Sequence, residues 1–202
     1  MDNKINYQLQ LDKIISSLDG KKPSLLLHAC CAPCSSYCLE YLKDFFEITL
    51  YFYNPNISCY EEWEKRFNEL KRLVQDMNLD VKVICPPYAP QEFIDKVKGY
   101  ENCPEGGERC GICYALRLKS ACDYAELNGY EYFCSTLSIS PHKDAQKLNS
   151  IGQALAKDKT VKYLPNDFKK KGGYLRSIEL SREYNLYRQD FCGCEFSRQA
   201  KR

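Results

Sequence analysis

Thirteen cysteines stand in a chain of 202 residues, and several are spaced for chemistry. Cys30 and Cys31 are adjacent, and Cys110-Gly111-Ile112-Cys113 has the C-x-x-C spacing that lets two thiolates converge on one metal or cluster. These are the two tightest groups able to share a metal site. Four thiolates suit a structural zinc or an iron–sulfur cluster, and spacing leaves both open beside the reading of buried free thiols. An adjacent Cys-Cys pair is unusual for zinc modules, which mostly use C-x-x-C in both halves. Cys192-Gly193-Cys194 is a third arrangement, because Gly193 permits the sharp turn that brings two such sulfurs toward disulfide geometry. A ring that small is strained and easily reduced, which suits redox catalysis; a metal-ligand pair or two free thiols are the alternatives.

Cys31, Cys34 and Cys38 have i, i+3, i+7 spacing and would share one helical face. Cys38 reads as core, since free cysteine packs as a small apolar group. Cys34 stays open, as a ligand in place of Cys30, a core thiol, a ligand for an additional metal ion or a proton donor. Cys59, Cys85, Cys103, Cys122 and Cys134 are scattered and read as ordinary thiols.

The odd cysteine count and the adjacent pair fit a disulfide framework badly. The stretch from Met1 to Gln8 is polar and has no apolar core of a signal peptide, so secretion is not expected and the cytoplasm is. A reducing compartment moves the reading from staples to metal ligands or redox catalysis. No run of about 18 apolar residues occurs, so no membrane partner is expected. The net charge of +2 excludes a uniformly basic, phosphate-coating surface, and 44% hydrophobic residues suffice for a core. Charge is uneven, however. Residues 165–202 carry nine Lys/Arg against five Asp/Glu, interleaved with Phe168, Tyr174, Tyr184, Tyr187, Phe191 and Phe196. Such a segment suits a ligand with phosphates and bases, or else it is a solvated basic tail packed by its aromatics.

The elements that must position these residues alternate. Helical periodicity runs from Tyr7 to Leu18 and stops at Gly20 and Pro23. Leu25-Leu26-Leu27 reads as a buried strand leading into the loop at Cys30 and Cys31, after which Ser35 or Ser36 is placed to cap a helix to about Lys43. Strands are expected at Phe46–Tyr53, Val81–Ile84 and Tyr130–Cys134, and helices at Tyr60–Met77, Gln91–Lys98, Gly111–Leu127 and Asp144–Leu155. This alternation predicts one α/β domain over 1–202 with a mostly parallel sheet and flanking helices. The cysteine-rich metal site would then lie at the C-terminal ends of the strands, where such sheets bind ligands.

His28-Ala29-Cys30-Cys31-Ala32-Pro33-Cys34 and Gly107-Glu108-Arg109-Cys110-Gly111-Ile112-Cys113-Tyr114-Ala115-Leu116-Arg117 together resemble the epoxyqueuosine reductase family, QueH. The resemblance continues in Ser135-Thr136-Leu137-Ser138-Ile139-Ser140-Pro141-His142-Lys143 and in Asp167-Phe168-Lys169-Lys170-Lys171-Gly172-Gly173-Tyr174. It ends in Leu186-Tyr187-Arg188-Gln189-Asp190-Phe191-Cys192-Gly193-Cys194. The blocks occur in one order over nearly the whole chain, leaving the N-terminal helix of residues 1–22 outside them.

The resemblance implies an oxidoreductase that removes the epoxide of epoxyqueuosine in tRNA, the last step of queuosine biosynthesis. It implies a nucleotide-hydrolase-like core, a [4Fe-4S] cluster on Cys30, Cys31, Cys110 and Cys113, and a redox-active pair at Cys192 and Cys194. An electron donor is required and is not identified by the sequence. The departing oxygen needs an acid, for which Asp190, Asp167 and His142 are candidates. Lys169, Lys170, Lys171 and Arg176 are candidates for tRNA phosphate and Tyr174 for stacking. His28, ending a buried strand, reads as a satisfied core histidine. The competing reading is a zinc-stabilised RNA-binding module without redox chemistry.

Overall fold

The computed structural model describes residues 4–199. Residues 1–3 and 200–202, counted in the single-domain expectation, lie outside the described residues. Helix α1 (Tyr7–Ser16) is followed by β1 (Ser24–His28), α2 (Ala32–Leu42), β2 (Glu47–Tyr51), α3 (Tyr60–Asp76) and β3 (Lys82–Ile84). Then come α4 (Pro90–Lys96), α5 (Glu108–Leu127), β4 (Tyr132–Ser135), a 3-10 turn (Thr136–Ile139), α6 (Ala145–Ala156), β5 (Lys162–Tyr163), α7 (Gly173–Glu183) and α8 (Glu195–Gln199).

The five strands lie in the order β3-β2-β1-β4-β5. Every neighbouring pair is parallel. Leu25, Leu26 and Leu27 of β1 are fully buried, so successive residues are covered on both faces of the sheet, as a central parallel strand requires. Helix α2 packs with α3 and α7, and α5 packs with α6, β1 and β4. No described helix is long and apolar enough to cross a membrane.

The strand order reverses at β1, whose neighbours β2 and β4 lead the chain away in opposite directions. A crevice forms outside the strand ends at such a reversal. His28 pairs in register with Ser135 of β4 and Tyr51 of β2. The cysteine loop after β1 and the turn after β4 therefore emerge side by side.

Two helix starts differ from the sequence expectation. Helix α2 begins at Ala32 with Cys31 as N-cap residue and a proline in its first two positions. Proline fits there because its fixed φ is helical and the missing N–H would have no partner. Ser35 and Ser36 are not the cap; their hydroxyls bond back to the carbonyls of Cys31 and Pro33 at 2.9 and 3.0 Å. Helix α5 likewise starts earlier, at Glu108 after the N-cap residue Gly107. Cys34 and Cys110 thus stand on helical first turns rather than in loops, and Cys113 lies in the second turn of α5. The two-residue strand β5 and helix α7 lie outside the expected elements; they fall in a stretch too short or too polar to show a period.

Candidate active site

Cys30 stands two residues after the end of β1, and its backbone N–H donates to Thr136 Oγ1 at 3.3 Å. The Cys31 sulfur lies 3.7 Å from that of Cys30. The Cys34 sulfur completes a triplet in which all three lie within 4.8 Å of one another, a group able to hold a metal ion. The three thiols do not behave alike. Hydrogen bonds from Cys31 and then Cys34, with help from the Arg117 guanidinium and Thr136, hold Cys30 well below the usual thiol range. Cys31 is pushed up to about 12, first by its hydrogen bond to Cys30. Cys34 is raised for the same reason. Of the three, Cys30 is the thiol whose ionised form is favoured, and it stands next to the amino end of α2, where the helix favours an anion.

A cavity of about 310 Å³ opens above the triplet, with Cys30, Cys34, Asn54, Asn56, Arg117 and Cys192 in its wall. His142, Tyr174 and Asp190 border it as well. A smaller adjoining cavity is lined by Cys110, Cys113, Cys192 and Cys194. Arg117, Lys143 and Cys192 belong to both walls. The structure thus brings Cys30, Cys31 and Cys34 into one group and sets Cys110 and Cys113 beside the Cys192-Gly193-Cys194 loop. The Cys110 sulfur accepts from the Gly106 backbone N–H at 3.2 Å. Burial pushes the Cys113 thiol up to about 11. All thirteen cysteines are free thiols.

Arg117 ties the two groups together. Its side chain is buried and donates to Asn54 Oδ1 at 2.5 Å, to His28 Nε2 at 3.3 Å and to Cys113 Sγ at 3.9 Å. Asn54 in turn donates to the Ala29 carbonyl at 2.9 Å. His28 is fully buried, with Nδ1 2.8 Å from Ser135 Oγ and Nε2 3.0 Å from the Tyr53 carbonyl. Burial lowers its pKa to about 3, so the ring is neutral, and Nε2 either donates to the Tyr53 carbonyl or accepts from Arg117, according to the tautomer.

The Cys192-Gly193-Cys194 loop is held from α3 and the segment before it. Gly193 has φ +96°, the left-handed region its sequence position demands. Arg66, buried and paired with Glu62 at 2.6 Å, donates to the carbonyls of Cys192 and Phe191 at 3.2 Å each. Ser58 N–H donates to the Gly193 carbonyl at 3.2 Å, and Asn56 Nδ2 to that of Cys192 at 3.4 Å. Lys143 Nζ lies 3.4 Å from Cys192 Sγ. Burial pushes the Cys194 thiol up.

The basic candidates are spread out. Lys169 binds the carbonyls of Ser138 and Lys143 at 2.9 and 3.3 Å and pairs with Asp167 at 3.1 Å. Lys171 pairs with Asp12 of α1 at 2.7 Å and Arg176 with Glu40 of α2 at 2.6 Å, while Lys170 is exposed. None of these four borders the cavity, and neither does Asp167. Sequence reasoning missed Arg66, Asn54, Asn56 and Lys143. Lys143 and Arg117 stood inside quoted motifs, but a lysine or arginine carries no spacing signal that says what it will face.

The family model for epoxyqueuosine reductase QueH matches residues 25–200. The chain is similar to an epoxyqueuosine reductase QueH from Streptococcus pyogenes serotype M1, 42% identical over 97% of this chain and 79% of the relative. It is 45% identical to one from Staphylococcus epidermidis, over 97% of this chain and 86% of the relative. A Thermotoga maritima relative of the same name is 33% identical over 86% of this chain and 90% of its own. Among solved structures, an NMN synthetase from Francisella tularensis superposes with a TM-score of 0.49 at 10% identity, covering 93% of this chain and 75% of that one.

Proposed function

Since the chain belongs to the epoxyqueuosine reductase QueH family, we propose that it reduces epoxyqueuosine in tRNA to queuosine. The observation that carries this reading is the meeting of two thiol groups at one crevice. The Cys30, Cys31, Cys34 triplet lies in the crevice, and Cys192 borders both cavities.

Soft sulfur donors in this number fit a thiolate-bound metal centre. A cluster held through Cys30 and Cys31 would need both as thiolates; the Cys30 thiolate is the favoured one, and Cys31 would give up its proton on binding. In this proposal Cys30, Cys31, Cys110 and Cys113 hold a [4Fe-4S] cluster, and Cys34 serves an additional metal ion or donates a proton. When bound, the cluster would supply electrons one at a time.

The chain's own residues supply the rest. Removing the epoxide oxygen consumes two electrons and two protons and yields an alkene and water. Oxidation of the Cys192 and Cys194 thiols to a disulfide releases the same two electrons and two protons, so the pair balances one turnover. In this reading His142 or Asp190, both on the cavity border, protonates the departing oxygen, and Tyr174 stacks on a base. Of the basic candidates, the exposed Lys170 meets phosphate in this proposal, with Lys169, Lys171 and Arg176 shaping the surrounding charge. An external donor restores the dithiol. Such an enzyme works on tRNA in the cytoplasm.

The test is an anaerobic incubation of the reconstituted protein with tRNA carrying epoxyqueuosine and a low-potential chemical donor. Digestion to nucleosides should show queuosine, lighter by one oxygen; unchanged epoxyqueuosine with a fully loaded metal centre would contradict the reading. A visible absorption that bleaches on reduction separates this enzyme from a zinc-stabilised RNA-binding module, because zinc has no redox states.

A further inference from the structure

Among the described residues, Lys143 is the one cation that borders both cavities at the redox pair and touches one of its sulfurs. Its side chain is only 9% exposed. Nζ lies 3.4 Å from Cys192 Sγ, against 3.6 Å to Glu105 Oε1, an acid more than a third exposed. The position is built rather than accidental. The Lys143 backbone N–H donates to the Ser140 carbonyl at 3.1 Å. Its own carbonyl receives the Lys169 ammonium, which also holds the Ser138 carbonyl. The two cysteines differ in access: Cys192 lines both cavities, whereas Cys194 is buried and lines only the smaller one.

We propose that Lys143 is the charge partner of Cys192 and makes Cys192, not Cys194, the sulfur through which the pair exchanges electrons with an external dithiol. The inference rests on the reading that this pair cycles between dithiol and disulfide. With a dithiol as reductant, one of its thiolates attacks the accessible Cys192 sulfur. The Cys192–Cys194 bond breaks, and its electron pair leaves on Cys194, which takes a proton. The second thiol of the reductant then displaces Cys192, which departs as a thiolate against the Lys143 ammonium, and the reductant closes into its own disulfide. A leaving sulfur whose charge is stabilised leaves faster, and a stabilised thiolate favours the reduced pair at equilibrium. Lys143 is a positioning residue in this account, since it acts on the substrate through Cys192.

The experiment uses the metal-loaded protein equilibrated anaerobically with mixtures of reduced and oxidised dithiothreitol, then trapped by alkylation. Cleavage after Arg188 and Arg198 releases a peptide with Cys192 and Cys194 as its only cysteines, so the two states are counted directly. K143M should shift the exchange constant toward the disulfide by about tenfold, which is about 30 mV for a two-electron couple. K143R, which keeps the charge, should stay near wild type. If K143M does not fold, K143Q carries the same expectation. A wild-type pair that never oxidises in the titration overturns the cycling reading and this inference with it. A pair that cycles with the same constant in K143M overturns this inference alone. Alkylation rates give the second readout. K143M should slow the reaction of Cys192 in a C194S background several-fold and leave that of Cys194 in C192S unchanged. Equal slowing of both would mean that the lysine merely supports the loop.

Discussion

Arg66 Nη1 lies 3.2 Å from the carbonyl oxygen of Cys192, so a buried arginine of α3 fixes the backbone of a loop more than a hundred residues later. The same guanidinium holds the Phe191 carbonyl and the Glu62 carboxylate. Removing it takes one donor each from an acid and two carbonyls, of which Glu62 keeps the Tyr187 hydroxyl and the Cys192 carbonyl keeps Asn56. R66M should therefore cost about 3 kcal/mol of stability, as for a buried pair broken on one side. Thermal melts measure that loss. R66K should recover part of the stability but not the fork geometry, and its kcat should stay below wild type.

Gly193 makes a second, independent demand on that loop. Its φ of +96° is unfavourable for any residue with a Cβ. A Cβ there would also stand 2.9 Å from Ile57 Cγ1 and 3.2 Å from Arg66 Nη1. G193A should destabilise by about 2 kcal/mol or displace the loop. In either case the yield of a Cys192–Cys194 disulfide under mild oxidation should fall, as read by alkylation and mass analysis. Wild-type yield and stability together would show that the turn is not required.

The metal-centre assignment separates Cys110 from Cys34. C110A should lower iron content and activity together, because three remaining thiolates leave one iron without its protein ligand. C34A should keep its four irons and lose whatever an additional metal or proton donor contributes. Iron loss in C34A, with full loading in C110A, would move the ligand set to Cys30, Cys31 and Cys34.

The parallel sheet was legible in the sequence because β1 is a pure apolar run and the longer helices keep their period; Leu25 to Leu27 could only be buried on both faces. The site was legible wherever spacing carried the signal, as in Cys30-Cys31, Cys110-x-x-Cys113 and Cys192-Gly193-Cys194. Proximity between distant segments was not. That Cys34 joins Cys30 and Cys31 follows from α2 starting at Ala32, a start that Pro33 permits but that the two serines obscured. That Lys169 props Lys143, rather than facing solvent with Lys170, follows from how the turn after β4 packs against the segment after β5. Neither relationship has a trace in local pattern.

Replacing both cysteines of the pair, C192S/C194S, should leave folding and iron content nearly intact, since a ring of so few residues restrains little unfolded-chain entropy. Multiple-turnover reduction with the physiological donor should fall to a small fraction of wild type. Wild-type turnover with that donor would end the redox-pair assignment.

The central claim is tested most directly by a single turnover without any donor. The metal-loaded protein is fully reduced, freed of reductant and mixed anaerobically with excess tRNA carrying epoxyqueuosine. Queuosine and the Cys192–Cys194 disulfide are then counted in the same samples. The account predicts that both appear together, with the same time course and about one of each per chain. Queuosine formed while Cys192 and Cys194 stay fully reduced, or a disulfide formed with the epoxide untouched, would contradict it.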